Sequence, residues 1–194
     1  MTVKAIVFDC FGVLVTSARK ALVHKYPKFK EQIDDIMHQA DYGLLSSRQQ
    51  LSDMLADLLG ISNDEVNLYF WNASVRDETV INWAKDVKSL GTYKTGLLSN
   101  VGAQTFEKFF GPSQQKELFD QVVLSYDVGI AKPDVAIFEL ISQKLGVEPS
   151  ECVMIDDTPL NIEAAINAGM QGVRFISLGQ ASDELSLLLG QDRA

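Results

Sequence analysis

Residues 3–15 read Val-Lys-Ala-Ile-Val-Phe-Asp-Cys-Phe-Gly-Val-Leu-Val. Apart from Lys4, residues 3–8 form a continuous apolar run without the alternation of a half-exposed strand, which suits a strand covered on both faces of a parallel sheet. Asp9 follows at its carboxyl end, and Gly12 stands where the chain has to turn. That edge is where open α/β sheets place their chemistry. Asp9 also interrupts the apolar run too early for a secretion signal.

Further runs of strand length occupy residues 94–98, 121–124, 152–155 and 172–176. Stretches with helical spacing lie between them: residues 79–90 stop at Gly91, 135–145 at Gly146 and 161–168 at Gly169, each glycine suited to a helix C-terminus. This alternation predicts an α/β fold, a doubly wound parallel sheet. Residues 16–78 break the pattern. Leu51, Met54, Leu55, Leu58 and Leu59 recur on one helix face after a capping box at Ser47 and Gln50, and a second helix starts at Ser62 or Asn63. The expected organisation is a catalytic core of residues 1–15 and 79–194, with a small helical cap, residues 16–78, inserted after strand one. Within the cap, Tyr69, Phe70 and Trp71 read as packing residues, while Arg48, His24 and His38 read as solvated ones. A final helix is expected near residues 181–189.

A chain of 194 residues accommodates one domain and a modest insertion. Its 17 Lys and Arg against 26 Asp and Glu leave a net charge of −9, which repels nucleic acid and anionic lipid. No apolar run reaches the ~18 residues of a spanning helix. The expected partner is therefore a small molecule, with no nucleic acid and no membrane. Cys10 and Cys152 are too few for a disulfide framework or a zinc site, so a reducing, cytoplasmic setting is expected. Nothing in the sequence separates monomer from dimer.

Four strand ends carry polar groups suited to phosphoryl chemistry: Asp9; Ser99 with Asn100; Lys132 in Gly129-Ile130-Ala131-Lys132-Pro133-Asp134; and Asp156-Asp157 with Asn161 one turn on. The motifs VFDCFGVLV, LLSN, GIAKPDVAIFE and MIDDTPLNIEAA, in that order and over essentially the whole chain, resemble those of the haloacid dehalogenase superfamily. The resemblance implies a Rossmann-like core and a nucleophilic Asp9 that forms an aspartyl phosphate. It further implies Mg²⁺ held by Asp9, Asp156 and the backbone carbonyl of Phe11. Ser99 and Asn100 would bind the substrate phosphate, and Lys132 would neutralise charge on the phosphate and on Asp9. Asp157 would orient Lys132 or a metal-bound water, and Asn161 would brace the acidic loop. The implied substrate is a small phosphorylated metabolite.

One position departs from the pattern. Phosphatases of this superfamily carry a second aspartate two residues after the nucleophile, as general acid and base, and here Phe11 stands there. Such assistance is worth ~10²–10⁴-fold. Its absence points to a leaving group that departs unprotonated, such as that of an anomeric, acyl or aryl phosphate. Two alternatives stay open: a metal-independent 2-haloacid dehalogenase, whose aspartate displaces halide without a leaving-group acid, and a non-catalytic binding or regulatory descendant.

Overall fold

The computed structural model describes residues 2–102 and 104–191. Among these, five strands form one parallel sheet: β1 (Ala5–Phe8), β2 (Lys94–Ser99), β3 (Gln121–Leu124), β4 (Cys152–Asp156) and β5 (Gln171–Arg174), in the order β3-β2-β1-β4-β5. The chain winds outward from β1 through β2 to β3 and then returns to the other side of β1 with β4. The winding therefore reverses between β1 and β4, which opens a crevice at their carboxyl ends.

Successive strand residues face opposite ways, and each face has its own helices. Ile6, Phe8, Leu97, Val153 and Ile155 pack with residues of α5 (Glu78–Ser89) and α10 (Leu178–Gln191). Ala5, Val7, Leu98, Val123 and Met154 pack with α8 (Val135–Leu145) and α9 (Pro159–Asn167). All four residues of β1 are buried, as its unbroken apolar run predicts. Two shorter helices, α6 (Pro112–Leu118) and α7 (Ser125–Val128), flank β3.

Between β1 and α5 lie four helices: α1 (Ala18–Lys25), α2 (Lys30–Asp41), α3 (Arg48–Leu59) and α4 (Asn63–Ala73). They bury a third cluster that includes Leu22, Ile33, Ile36, Leu51, Leu55 and Val66, with Tyr69 and Phe70 packed against it. The Trp71 side chain, expected beside them, lies outside the described residues. The apolar spacing of the sequence marks α3 and α4 but not α1 and α2. Their apolar positions, Leu22 in one and Ile33, Ile36 and Ala40 in the other, are thinly spread among charged residues, and Pro27 interrupts the pattern.

Several boundaries and caps differ from expectation. The first strand begins at Ala5 and not at Val3, the fifth ends at Arg174, and the last helix starts three residues earlier, at Leu178. Ser47 caps α3 by accepting from the Gln50 N–H, but the Gln50 side chain accepts from the Ser46 N–H, so the box does not close on Ser47. The reciprocal box is at Ser62 and Glu65. Arg48 is half-buried and donates to Asn67 Oδ1 at 3.4 Å. It lines a crevice between α3, α4 and the segment after β2, because its side of the helix faces the core and not solvent.

Candidate active site

Asp9 leaves β1 with its N–H bonded to the Ile155 carbonyl at 2.9 Å, which fixes it against β4. The Cys10 carbonyl then accepts from the N–H groups of Leu14 and Val15, at 2.9 Å each, and closes a tight loop. Gly12 turns this loop at φ +115°, where any added Cβ would lie 2.0 Å from Asp157 Oδ2. Both constraints oppose a side chain. Gly12→Ala is therefore expected to displace the loop or Asp157 and to lower both thermal stability and turnover by at least tenfold. Melting curves and ester hydrolysis by the purified variant check this.

Lys132 enters from the loop after α7. Its Nζ donates to Asp9 Oδ1 at 2.7 Å, Asp156 Oδ2 at 2.7 Å and the Leu98 carbonyl at 2.9 Å, and only 1% of its side chain is exposed. Asp134 caps α8 through the Ala136 N–H and takes no part in holding Lys132. Asn100 secures the lysine from behind: its Oδ1 accepts from the Lys132 N–H and its Nδ2 donates to the Lys132 carbonyl, both at 2.8 Å. The side chain expected to meet substrate is thus turned onto the Lys132 backbone. Ser99 is wholly buried at the end of β2, its hydroxyl 3.5 Å from the Asn100 carbonyl oxygen and within reach of the Cys10 thiol. Burial and the nearby Asp9 charge push that thiol well up, which suits an inert cysteine.

Asp156 accepts from Asn161 Nδ2 at both oxygens, 3.1 and 3.0 Å away, and from the Thr158 N–H at 2.8 Å. Asn161 thus ties the first turn of α9 to the Asp156 carboxylate. Of the two roles expected for Asp157, orienting Lys132 or a metal-bound water, the first is not the contact made: Asp157 pairs with Lys20 on α1. No sequence signal marked Lys20, since it lies 137 residues from its partner on an unforeseen helix.

Carboxylate oxygens of Asp9, Asp156 and Asp157 lie within 4.8 Å of one another. Burial raises the Asp9 carboxyl from its usual 3.8 to about 7; Lys132 opposes the rise and Asp156 adds to it. Burial pulls Lys132 down, but the charges of Asp156 and Asp9 outweigh it and hold the ammonium above its usual range. Three clustered carboxylates with one buried ammonium among them are a donor set for a hard divalent cation, with oxygen ligands suited to Mg²⁺. The Phe11 ring packs edge-on against Phe109, with centroids 5.6 Å apart, so no side-chain acid stands at that position.

A family model for haloacid dehalogenase-like hydrolases matches residues 3–169. Acyl-CoA dehydrogenase family member 10 of Mus musculus is 35% identical over 104 residues, which are 54% of this chain and 10% of that protein. Pyrophosphatase PpaX of Bacillus cereus (strain AH820) is 26% identical over 176 residues, 87% of this chain and 81% of that protein. The chain thus spans about a tenth of the mouse relative and most of the bacterial one. Among solved structures, HAD family enzyme bt-2542 of Bacteroides thetaiotaomicron, in complex with magnesium and inorganic phosphate, superposes with a TM-score of 0.70 at 22% identity, over 89% of this chain and 93% of that one. L-2-haloacid dehalogenase of Xanthobacter autotrophicus superposes with a TM-score of 0.61 at 21% identity, over 96% and 83%. The match over most of the length, on a sheet whose strand ends gather Asp9, Lys132 and Asp156, places this chain in the family of haloacid dehalogenase-like hydrolases.

Proposed function

We propose that the chain hydrolyses small phosphate esters with the help of Mg²⁺, through a phosphorylated Asp9. The observation that carries this reading is the group of three carboxylates around buried Lys132 at the β1–β4 crevice. An anionic cluster of this kind repels a phosphate unless a cation joins it. The similar PpaX is a pyrophosphatase and the similar bt-2542 is seen with magnesium and inorganic phosphate, which lean the same way. In this reading residues 1–15 and 79–194 form the catalytic core and residues 16–78 the cap.

Asp9, Asp156 and the Phe11 carbonyl would hold the ion, which supplies charge neutralisation between nucleophile and phosphate when bound. Asp9 attacks phosphorus, and water later hydrolyses the acyl phosphate. Lys132 keeps the Asp9 carboxylate oriented and shares its charge, and Asn100 keeps Lys132 in place. The Ser99 hydroxyl, at the same edge, is assigned to a phosphoryl oxygen. Asp157 and Lys20 tie the cap to the acidic loop.

With 4-nitrophenyl phosphate and Mg²⁺, hydrolysis is expected; excess chelator should reduce it by more than tenfold, and added Mg²⁺ should restore it. Hydrolysis indifferent to chelator would sink the metal-dependent reading. A second reading draws on the aromatic wall of Phe11 and Phe109, which suits a dehalogenase. Chloride release from 2-chloropropionate with chelator present would select it, and inertness toward both compounds would select a binding role.

A further inference from the structure

The crevice beside Arg48, between α3, α4 and the segment that follows β2, encloses about 360 Å³ including its open mouth, a size that suits a small molecule. A smaller crevice shares Arg48, Leu51 and Thr105 with it, so the two run together as one groove along α3. Both ends of the groove border the catalytic edge. At one end Phe109 forms the wall, and its ring meets that of Phe11, two residues beyond Asp9, with centroids 5.6 Å apart. At the other end lies Gly102, three residues beyond Ser99, on the segment whose Asn100 grips the Lys132 backbone. Ser74 closes one side, next to Val75, whose carbonyl accepts from the Thr16 N–H at 2.9 Å. The neighbouring Val15 carbonyl accepts from the Gly12 N–H at 2.7 Å, which ties this side to the loop that carries Phe11.

The lining is selective in character. Leu51, Val66, Phe70 and Phe109 supply apolar walls, and Arg48 is the one charged side chain among the described residues that line the groove. None of those residues is acidic, although the chain carries 26 Asp and Glu. The Arg48 Nη2 donates to Asn67 Oδ1 at 3.4 Å, long for a bond of this kind. Burial pulls the guanidinium below its usual range, and an anion brought to it would offset that loss of water.

We propose that this groove is the leaving-group subsite and that Arg48 selects phosphate esters whose leaving group is an aromatic ring bearing a carboxylate; the assignment rests on the hydrolase reading above. With phosphorus at Asp9, the ring lies against Phe11 and Phe109, and its carboxylate meets the planar fork of Arg48. A phenolate departs without a proton. Phe11 therefore serves such a substrate as a wall, at the position where an alkyl ester would need an acid.

The test assays the full chain with Mg²⁺ on phenyl phosphate and on its 3- and 4-carboxy derivatives. At least one carboxy ester is expected to show a KM lower by ~10–100-fold than phenyl phosphate, the scale of a charge-assisted hydrogen-bonded pair. Arg48→Met should erase that difference, and Arg48→Lys should restore only part of it, because an ammonium lacks the fork. In the parent, the matching hydroxybenzoate should compete with phenyl phosphate at concentrations at which phenol does not, a measurement that decides the question even if the Arg48 variants fail to fold. Equal KM values in the parent, a preference that survives Arg48→Met, or a hydroxybenzoate that competes no better than phenol overturns the subsite and leaves the hydrolase reading standing. A parent inert toward all three esters overturns the hydrolase reading and the assignment with it.

Discussion

Asp9→Asn is expected to abolish ester hydrolysis, with a loss on the order of 10⁵–10⁶-fold in kcat, the scale seen when a hydrolase loses its nucleophile. The amide keeps the size of the carboxyl but cannot form the acyl phosphate. Rapid-quench detection of an acid-stable phosphoprotein in the parent, absent from the variant, separates a lost nucleophile from weakened binding. The same change should stabilise the metal-free fold at alkaline pH. With the folded carboxyl raised from 3.8 to about 7, the folded state holds the proton more tightly than the unfolded chain does. Ionisation of Asp9 therefore costs stability progressively from about pH 4 to about pH 7, and fully above that. A neutral amide escapes this cost. The variant should melt higher than the parent at pH 8 with chelator present, and the difference should fade toward pH 4. A variant that melts lower at pH 8 would contradict the electrostatic account, even if activity is lost.

Lys132→Met is expected to act in the opposite direction on stability. Nζ is the one described cation that bonds both Asp9 and Asp156, and all three groups are buried. Removing one partner of a buried ionic cluster costs about 3–5 kcal/mol, because charges are left without compensation. At about 2–4 °C per kcal/mol for a chain of this size, melting should fall by roughly 6–20 °C. The lysine is held above its usual 10.5, so its contribution is present throughout the range below that value and is lost only as pH rises through its folded pKa. Asp9 can relieve the damage by taking up a proton. The deficit should accordingly be smaller at pH 5 than at pH 8. Turnover should fall by about 10²–10³-fold even where the variant is folded, since a preorganised charge facing the phosphate is gone. A deficit independent of pH would mean that Lys132 acts mainly through packing.

The parallel core was legible in the sequence because its strands are buried on both faces and so appear as unbroken apolar runs. Their helices end at Gly91 and Gly146, where a left-handed residue closes the last turn, with φ +66° and +68°. Strand ends in such a sheet are local facts, one residue beyond each run, and Asp9, Ser99 and Asp156 could be placed on one edge from the pattern alone. The first half of the insertion was not legible. A short helix that buries only Ala18 and Leu22 gives almost no periodic signal, and its docking is decided by neighbours far along the chain.

By itself the sequence determined the sheet, the existence of a helical insertion and the presence of Asp9, Lys132 and the paired Asp156 and Asp157 near the strand ends, together with a phenylalanine and no carboxyl at position 11. These follow from short-range rules: apolar runs, turn residues and motif spacing. Tertiary structure alone decided what those groups touch. It joined Lys132 to both Asp9 and Asp156, turned Asn100 onto the Lys132 backbone and gave Asp157 to Lys20. Each depends on residues tens to more than a hundred positions apart, brought together by the winding of the sheet and, for Lys20, by the docking of α1. The energies of burial and charge that set their chemistry exist only once that packing is complete.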